Sequence, residues 1–322
     1  MATAPASQAS AYARPPEGRP ARVAFIGPAP LFAPCVPSVP VPNLESRFID
    51  FRGEAPDALV HELHEYAPHL VVCFRPEHVP SGLFAELSAA VLGVAAEPLP
   101  RGEHPPNDGL RWNLGELAKA DPRCFDRVLV CDPLGFGSAA AHLPAWRSHP
   151  LPVDDRLFRP LRPTARPPRA IFIGHSTMHV EQFLLPVKHG FDIGHYAYGL
   201  AGDLLEEVLD GADIAINVGP DGQIAPLLPR VLMHLAAGQL LLSEPLERSF
   251  ALEPDIDFVV VASSSELDTR MHQLTQRPDA YERVRIRGRA KVEQYRASRV
   301  WRDVVDDLFD DIAAFGTARD LR

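Results

Sequence analysis

Apolar residues along this chain fall into short solid runs separated by longer two-faced segments, a pattern that predicts strands followed by helices. Arg22-Val-Ala-Phe-Ile-Gly27, Arg47-Phe-Ile-Asp-Phe51, His69-Leu-Val-Val-Cys-Phe74 and the runs at 90–95 and 125–132 read as strands. Between them, 56–66 carries Leu59, Leu63 and Tyr66 on one side of a helix. A short helix is expected near 82–87 and another over 110–120. The pattern then restarts. Arg169-Ala-Ile-Phe-Ile-Gly174 repeats the apolar run into glycine seen at 22–27. Strands at 191–193, 213–218, 239–243 and 258–261 alternate with helices at 178–189, 200–209, 228–237 and 263–276. Such alternation calls for parallel sheets, so the expected fold class is α/β with two Rossmann-like domains.

Residues 160–168, PLRPTARPP, form the clearest break, since their prolines favour a semi-rigid extended connector. They separate an N-terminal domain over 21–159 from a C-terminal domain over 169–297. Residues 1–20 are rich in Ala, Pro and Ser without an apolar signal core and read as a disordered tail. Near the other end, Arg283, Arg285, Arg287 and Arg289 form a basic run that reads as a solvated face. Val300, Val304, Leu308 and Ile312 then mark a final amphipathic helix within 298–322.

Composition narrows the classes further. The 322 residues suffice for two cores, and 46% apolar with 23% charged residues describes a soluble globular protein. A net charge of −10 argues against nucleic acid as the main partner, because phosphate backbones need a basic surface. Cys35, Cys73, Cys124 and Cys131 are scattered without C-x-x-C pairing, which suggests neither zinc nor a disulfide framework and fits a reducing cytoplasm. No apolar run approaches the roughly 20 residues of a membrane span.

The chemistry centres on residues 213–243. Ile214, Ile216 and Val218 belong to a strand that ends at the turn Gly219-Pro220-Asp221-Gly222. On the helix that follows, Leu228, Val231, Leu232, Leu235 and Ala236 share one arc, and Arg230, Met233, His234 and Ala237 the other, before Gly238 stops it. A guanidinium and an imidazole thus stand near a helix N-terminus at the carboxyl edge of a parallel sheet, where α/β folds bind ligands and helix ends favour anions. The expected ligand is a nucleotide diphosphate; the alternative is an ordinary surface Arg and His. Gly174-His175-Ser176-Thr177 joins a strand to a helix and offers donors to phosphate, unless Ser176 or Thr177 is only the helix cap. Glu244 to Arg248 follow the strand at 239–243, another edge position. The chain has no G-x-G-x-x-G, so a simple dinucleotide dehydrogenase is not expected. In the first half, Arg75-Pro76-Glu77 follows one strand, and Glu97-Pro-Leu-Pro-Arg101-Gly-Glu-His104 leaves another with a carboxylate, a guanidinium and an imidazole. Glu97 or His104 suits a base for a hydroxyl acceptor, against a merely solvated loop. Asp132, at a strand tip, is either catalytic or a turn cap.

The order strand, turn, helix with Arg230, Ala236 and Gly238, then apolar strand resembles the donor-binding region of two-domain GT-B glycosyltransferases. It is most similar to the group around the spore-maturation protein CgeB, which carries an R-x-x-E-x-x-A-x-G type of segment here. The E-P-L-P-R at 97–101 and F-D-R-V-L-V-C-D-P at 125–133 resemble the same group, and the likeness spans most of 22–315. It implies two Rossmann-like domains facing across a cleft, with the last helix returning to the first. The implied activity is metal-independent transfer of a sugar from a nucleotide diphosphate donor, of UDP or GDP type, to an unknown acceptor. Gly174, His175, Ser176, Asp221, Arg230 and His234 would bind the donor, and Glu97, Arg101 and His104 would serve catalysis, with no metal and no cofactor beyond the nucleotide-sugar. His195, Tyr196 and Tyr198 would lie near the base. One position departs from the group: the Glu that holds the donor ribose falls at Met233, whose thioether cannot accept paired hydroxyl hydrogen bonds. A non-catalytic GT-B-like protein that binds a ligand or partner, or a sugar-nucleotide epimerase, are the other readings.

Overall fold

Most of the solid apolar runs become strands buried on both faces, as the inner strands of all-parallel sheets must be, while the edge strands Leu44–Ile49 and Ile193–Tyr196 are only partly buried. A computed structural model of the chain describes residues 15, 18–52, 55–84, 87–101, 108–197, 200–219, 229–246, 252–317 and 319. It divides into two compact units: one takes the chain up to Pro28, Pro40–His149 and the part from Trp301, the other Ala29–Val39 and Pro150–Val300. The short α1 (Ala29–Phe32), from the Pro-rich loop after the first strand, therefore belongs to the second unit.

In the first unit, β1 (Ala21–Ile26), β2 (Leu44–Ile49), β3 (Leu70–Phe74), β4 (Ala90–Ala95), β5 (Arg127–Val130) and β6 (Ala145–Ser148) form one parallel sheet in the order β2-β1-β3-β4-β5-β6. Every residue of β3 and β4 is buried. Helices α2 (Pro56–Tyr66), α3 (Asp108–Leu117) and α4 (Phe136–Ala140) connect the strands. Alternate residues Ala24, Ile26, Val71, Cys73 and Val91 meet Leu59, Leu63 and Tyr66 of α2, the stripe expected from the sequence. Two expectations shift. The second strand starts earlier, at Leu44, and residues 81–84 make turns where a helix was expected, with 85 and 86 outside the described residues.

In the second unit, β7 (Ala170–Ile173), β8 (Ile193–Tyr196), β9 (Ile214–Asn217), β10 (Leu240–Ser243) and β11 (Val259–Val260) form a parallel sheet in the order β11-β10-β9-β7-β8. Its helices are α5 (Met178–Gly190), α6 (Gly202–Gly211), α7 (Pro229–Ala236), α8 (Ser264–Gln276) and α9 (Glu282–Lys291). Period-2 alternation splits the strands between two cores. Ile171, Ala215 and Leu241 pack with Val231, Leu232 and Leu235 of α7, whereas Phe172, Ile216 and Leu242 pack with α5 and α8. Burial of each such leucine contributes about 2 kcal/mol. Strand β8 begins later than the expected 191–193, because the Phe191 N–H bonds to Val187 O (2.8 Å) and so closes helix α5. Arg162 in the proline-rich connector pairs with buried Asp213 (2.8 Å), and its carbonyl accepts from Arg285, so this segment lies pinned on the unit.

Helix α10 (Ala297–Phe315) starts in the second unit and belongs to the first from Trp301 onward. There the Trp301 ring lies 4.9 Å from Phe25 and 6.1 Å from Phe74. Val304, Leu308 and Ile312 are buried on the same stripe, while Asp307 and Asp311 on the wetter side pair with Arg147 and Arg127.

Candidate functional site

In the second sheet the chain leaves β7 toward β8 and then crosses to β9 on the other side, so the strand order reverses between β7 and β9. Ligands of open α/β sheets bind outside the carboxyl ends at such a point. Arg230, in the first turn of α7, projects there. Its Nε donates to Asn217 Oδ1 (2.8 Å) and its Nη2 to Val218 O (3.0 Å), both at the tip of β9. The remaining Nη1 lies 3.2 Å from where a Cβ on Gly174 would stand, at the tip of β7. Glycine at 174 therefore lets this nitrogen come close to the backbone at the tip of β7. Arg230 makes no ion pair with any carboxylate among the described residues, and burial alone lowers its pKa to about 10. It remains a cation at neutral pH whose charge is only partly solvated, a state that an incoming anion relieves.

The β7 loop is held from the β8 side. Lys188 donates to His195 Nδ1 (3.1 Å), which leaves the hydrogen on Nε2 for Gly174 O (3.0 Å). His195 thus braces the backbone of the loop. Thr177 caps α5 by accepting from Val180 N, one of the two roles open to it in the sequence. His175 and Ser176 are exposed, and the Ser176 hydroxyl donates to Glu181. Lys188 and then Ser176 hold the Glu181 carboxyl below its ordinary range.

His234 does not share the edge with Arg230. It is 1% exposed; its Nδ1 pairs with Gln239 Oε1 (2.7 Å), and Gln239 Nε2 donates to Leu209 O (2.7 Å). That chain of bonds puts the proton on Nδ1 and leaves a bare, buried Nε2. Burial first, with the charge of Arg230 adding, lowers its pKa to about 4 despite the bond to Gln239. The two-faced reading misled here because five of the eight residues of α7 are buried, which leaves little of the helix for a polar face. Asp221 lies outside the described residues.

Two further side chains join the edge: Glu244, from the stretch after 239–243 already expected at an edge, and Asn217, which the sequence did not single out. Glu244, the first residue after β10, is buried; it accepts from Gly219 N (2.7 Å) and pairs with His179 Nε2 (2.8 Å). Asn217 Nδ2 donates to Ser243 Oγ (2.9 Å). The available signal was a polar residue closing each apolar run, Asn217 after Ile-Ala-Ile and Ser243-Glu244 after Leu-Leu-Leu.

The carboxyl edge of the first sheet is organised differently. Arg75, immediately after β3, takes a left-handed φ of 66° and pairs with Glu77 and with Glu97 Oε1 (2.5 Å). Glu77 is buried, whereas the Glu97 side chain is 41% exposed. Arg101 pairs with Asp132 Oδ2 (3.3 Å), and Asp132 Oδ1 accepts from Leu134 N (3.0 Å), the turn-capping role. Asn113 and Ser138 donate to Pro98 O and Pro100 O and so fix the segment around Glu97. His104 lies outside the described residues. Among the described residues no group of three or more His, Cys, Asp or Glu is placed to hold a metal ion, and no helix is long and apolar enough to cross a membrane.

No family model matches the chain, and no curated protein matches it in sequence. Solved structures do. Anabaena HepE in complex with UDP-glucose matches with a TM-score of 0.58 at 9% identity, over 90% of this chain and 99% of that one. HepE in complex with UDP and glucose gives 0.57 at 8%, over 90% and 100%. Sucrose-phosphate synthase from Thermosynechococcus elongatus gives 0.56 at 10%, over 90% and 99%. The fold is the two-domain GT-B fold. Its two parallel sheets are those described above, and Arg230 stands at the strand-order reversal of the C-terminal GT-B sheet. At such identities the likeness carries the fold, and chemistry must be argued from the side chains.

Proposed function

We propose that the protein is a glycosyltransferase that moves a sugar from a nucleotide diphosphate donor to a hydroxyl acceptor. One observation carries this reading: Arg230, at the strand-order reversal, pairs with no acid among the described residues, and its Nη1 lies beside Gly174 at the tip of β7. A diphosphate fits that position, with His175 and Ser176 on the adjoining exposed loop. As the bond from sugar to phosphate breaks, negative charge gathers on the departing diphosphate. A fixed guanidinium stabilises that charge without a metal. HepE with UDP-glucose and sucrose-phosphate synthase, which share the fold, are consistent with such a donor.

For the acceptor side we propose Glu97. Arg75 fixes one of its oxygens, and its exposure leaves it able to take a proton from a hydroxyl. Arg101 and His104 complete this proposed group. The acceptor proton passes to Glu97, the acceptor oxygen bonds the sugar carbon, and the electron pair of the broken bond leaves on the diphosphate.

A second reading, a GT-B protein that binds a nucleotide without transferring sugar, is favoured by Met233. Its side chain packs against the apolar core of the unit, where the resemblance implies a ribose-holding Glu. Calorimetric titration with UDP and GDP, followed by incubation with UDP- and GDP-sugars, tests both. The transferase reading expects binding, and slow release of nucleoside diphosphate as water takes the sugar in place of the absent acceptor. Binding without release supports the second reading, and absence of binding to either nucleotide removes both.

A further inference from the structure

Arg230 and Glu244 hold opposite ends of one peptide group. The carbonyl of Val218 accepts from Arg230 Nη2 (3.0 Å), and the next N–H along the chain, that of Gly219, donates to Glu244 Oε2 (2.7 Å). A peptide with a carboxylate on its N–H and a guanidinium on its oxygen is polarised along its own dipole, so each bond strengthens the other. A second path closes the circuit. Arg230 Nε donates to Asn217 Oδ1, Asn217 Nδ2 to Ser243 Oγ, and Ser243 Oγ to Glu244 O (2.7 Å). The tips of β9 and β10 are thereby tied into one ring of hydrogen bonds. The ring occupies Nε and Nη2 and leaves Nη1, above Gly174, for a ligand. His179, in the first turn of α5, secures the other Glu244 oxygen.

We propose that Glu244 is a positioning residue for Arg230, acting through the Val218–Gly219 peptide and held in turn by His179, so that the guanidinium presents Nη1 to the diphosphate of a bound nucleotide. The proposal rests on the donor reading above. It explains how a half-buried cation is kept in place with no acid in direct contact among the described residues. A carboxylate in contact with the guanidinium would compete with the diphosphate; one that acts through a peptide compensates the charge from behind.

The test is a double-mutant cycle read by calorimetry, using whichever of UDP and GDP binds wild type more tightly. Glu244→Gln keeps the shape but loses one charge and one acceptor. It should weaken binding about tenfold in wild type and less than about twofold in an Arg230→Lys background, where an ammonium cannot span Asn217 and Val218 together. His179→Ala, at a half-buried position, should show the same dependence at about threefold, and it carries the cycle if Glu244→Gln does not fold. Equal losses in both backgrounds would mean a general structural role and overturn the proposal. So would unaltered binding in both single variants of an otherwise competent protein. Failure of wild type to bind either nucleotide overturns the donor reading itself, and this inference with it.

Discussion

The two parallel sheets present contrasting carboxyl edges. At the first, arginines meet acids: Arg75 holds Glu77 and Glu97, and Arg101 holds Asp132. At the second, Arg230 meets, among the described residues, only an amide oxygen and a carbonyl, while the nearby carboxylate of Glu244 is turned to a backbone N–H and a histidine. An edge whose two cations are outnumbered by three carboxylates suits a neutral hydroxyl compound and offers a carboxylate to take its proton. An edge whose cation touches no acid directly among the described residues suits an anion. The division of labour proposed for the two units follows from that difference in charge pairing, since both sheets share the same parallel construction.

The largest effect that sharpens this contrast is expected in the first unit. Arg75→Met leaves Glu77 buried without its cation and should cost about 3 kcal/mol in urea unfolding. Affinity for UDP should not change; a large loss of affinity would break the separation of roles. The next effect separates the two polar residues of α7. His234, with a folded pKa of about 4, stays neutral where an unfolded histidine takes up a proton. Between pH 6.5 and 4 the unfolded chain therefore binds more protons, so stability falls as pH drops through that window, by on the order of 2 kcal/mol. His234→Leu should flatten that part of the pH profile, measured by urea unfolding at each pH. Retention of the full slope would refute the neutral interior histidine.

Smaller effects probe the space around Arg230. Gly174→Ala places a Cβ 2.9 Å from the Phe172 ring and 3.2 Å from Arg230 Nη1, and should weaken UDP binding about tenfold by calorimetry. The smallest concerns Met233. A thioether makes no paired bonds to ribose hydroxyls, so UDP and 2′-deoxy-UDP should bind within about twofold of each other. A marked preference for the ribose form would point to another residue that holds those hydroxyls.

Much of the fold was legible because strand and helix periods leave direct marks. Phe25, Val72 and Leu242 sit in solid apolar runs that only a buried strand accommodates, and the Leu59-Leu63-Tyr66 stripe matches one helix face. Arg230 was legible for a local reason: a lone cation between Pro229 and an apolar helix, at a strand–helix junction. Other roles depend on contacts far apart in the chain. Glu244 gains its role from Gly219, 25 residues away, and His179 from Glu244, 65 residues away. Neither separation follows a local period. His234 was misread because a helical wheel shows which residues share a side but not how many sides are covered. Only the packing of α7 reveals that His234 is interior.

The most direct test of the central claim is calorimetric titration of Arg230→Ala with UDP and GDP, alongside its thermal midpoint. The account predicts a loss of affinity of about 100-fold or more in a protein that still folds, with the midpoint lowered only by what the lost bonds to Asn217 and Val218 cost, about 1–3 kcal/mol. Unchanged affinity, or collapse of the fold, would contradict it.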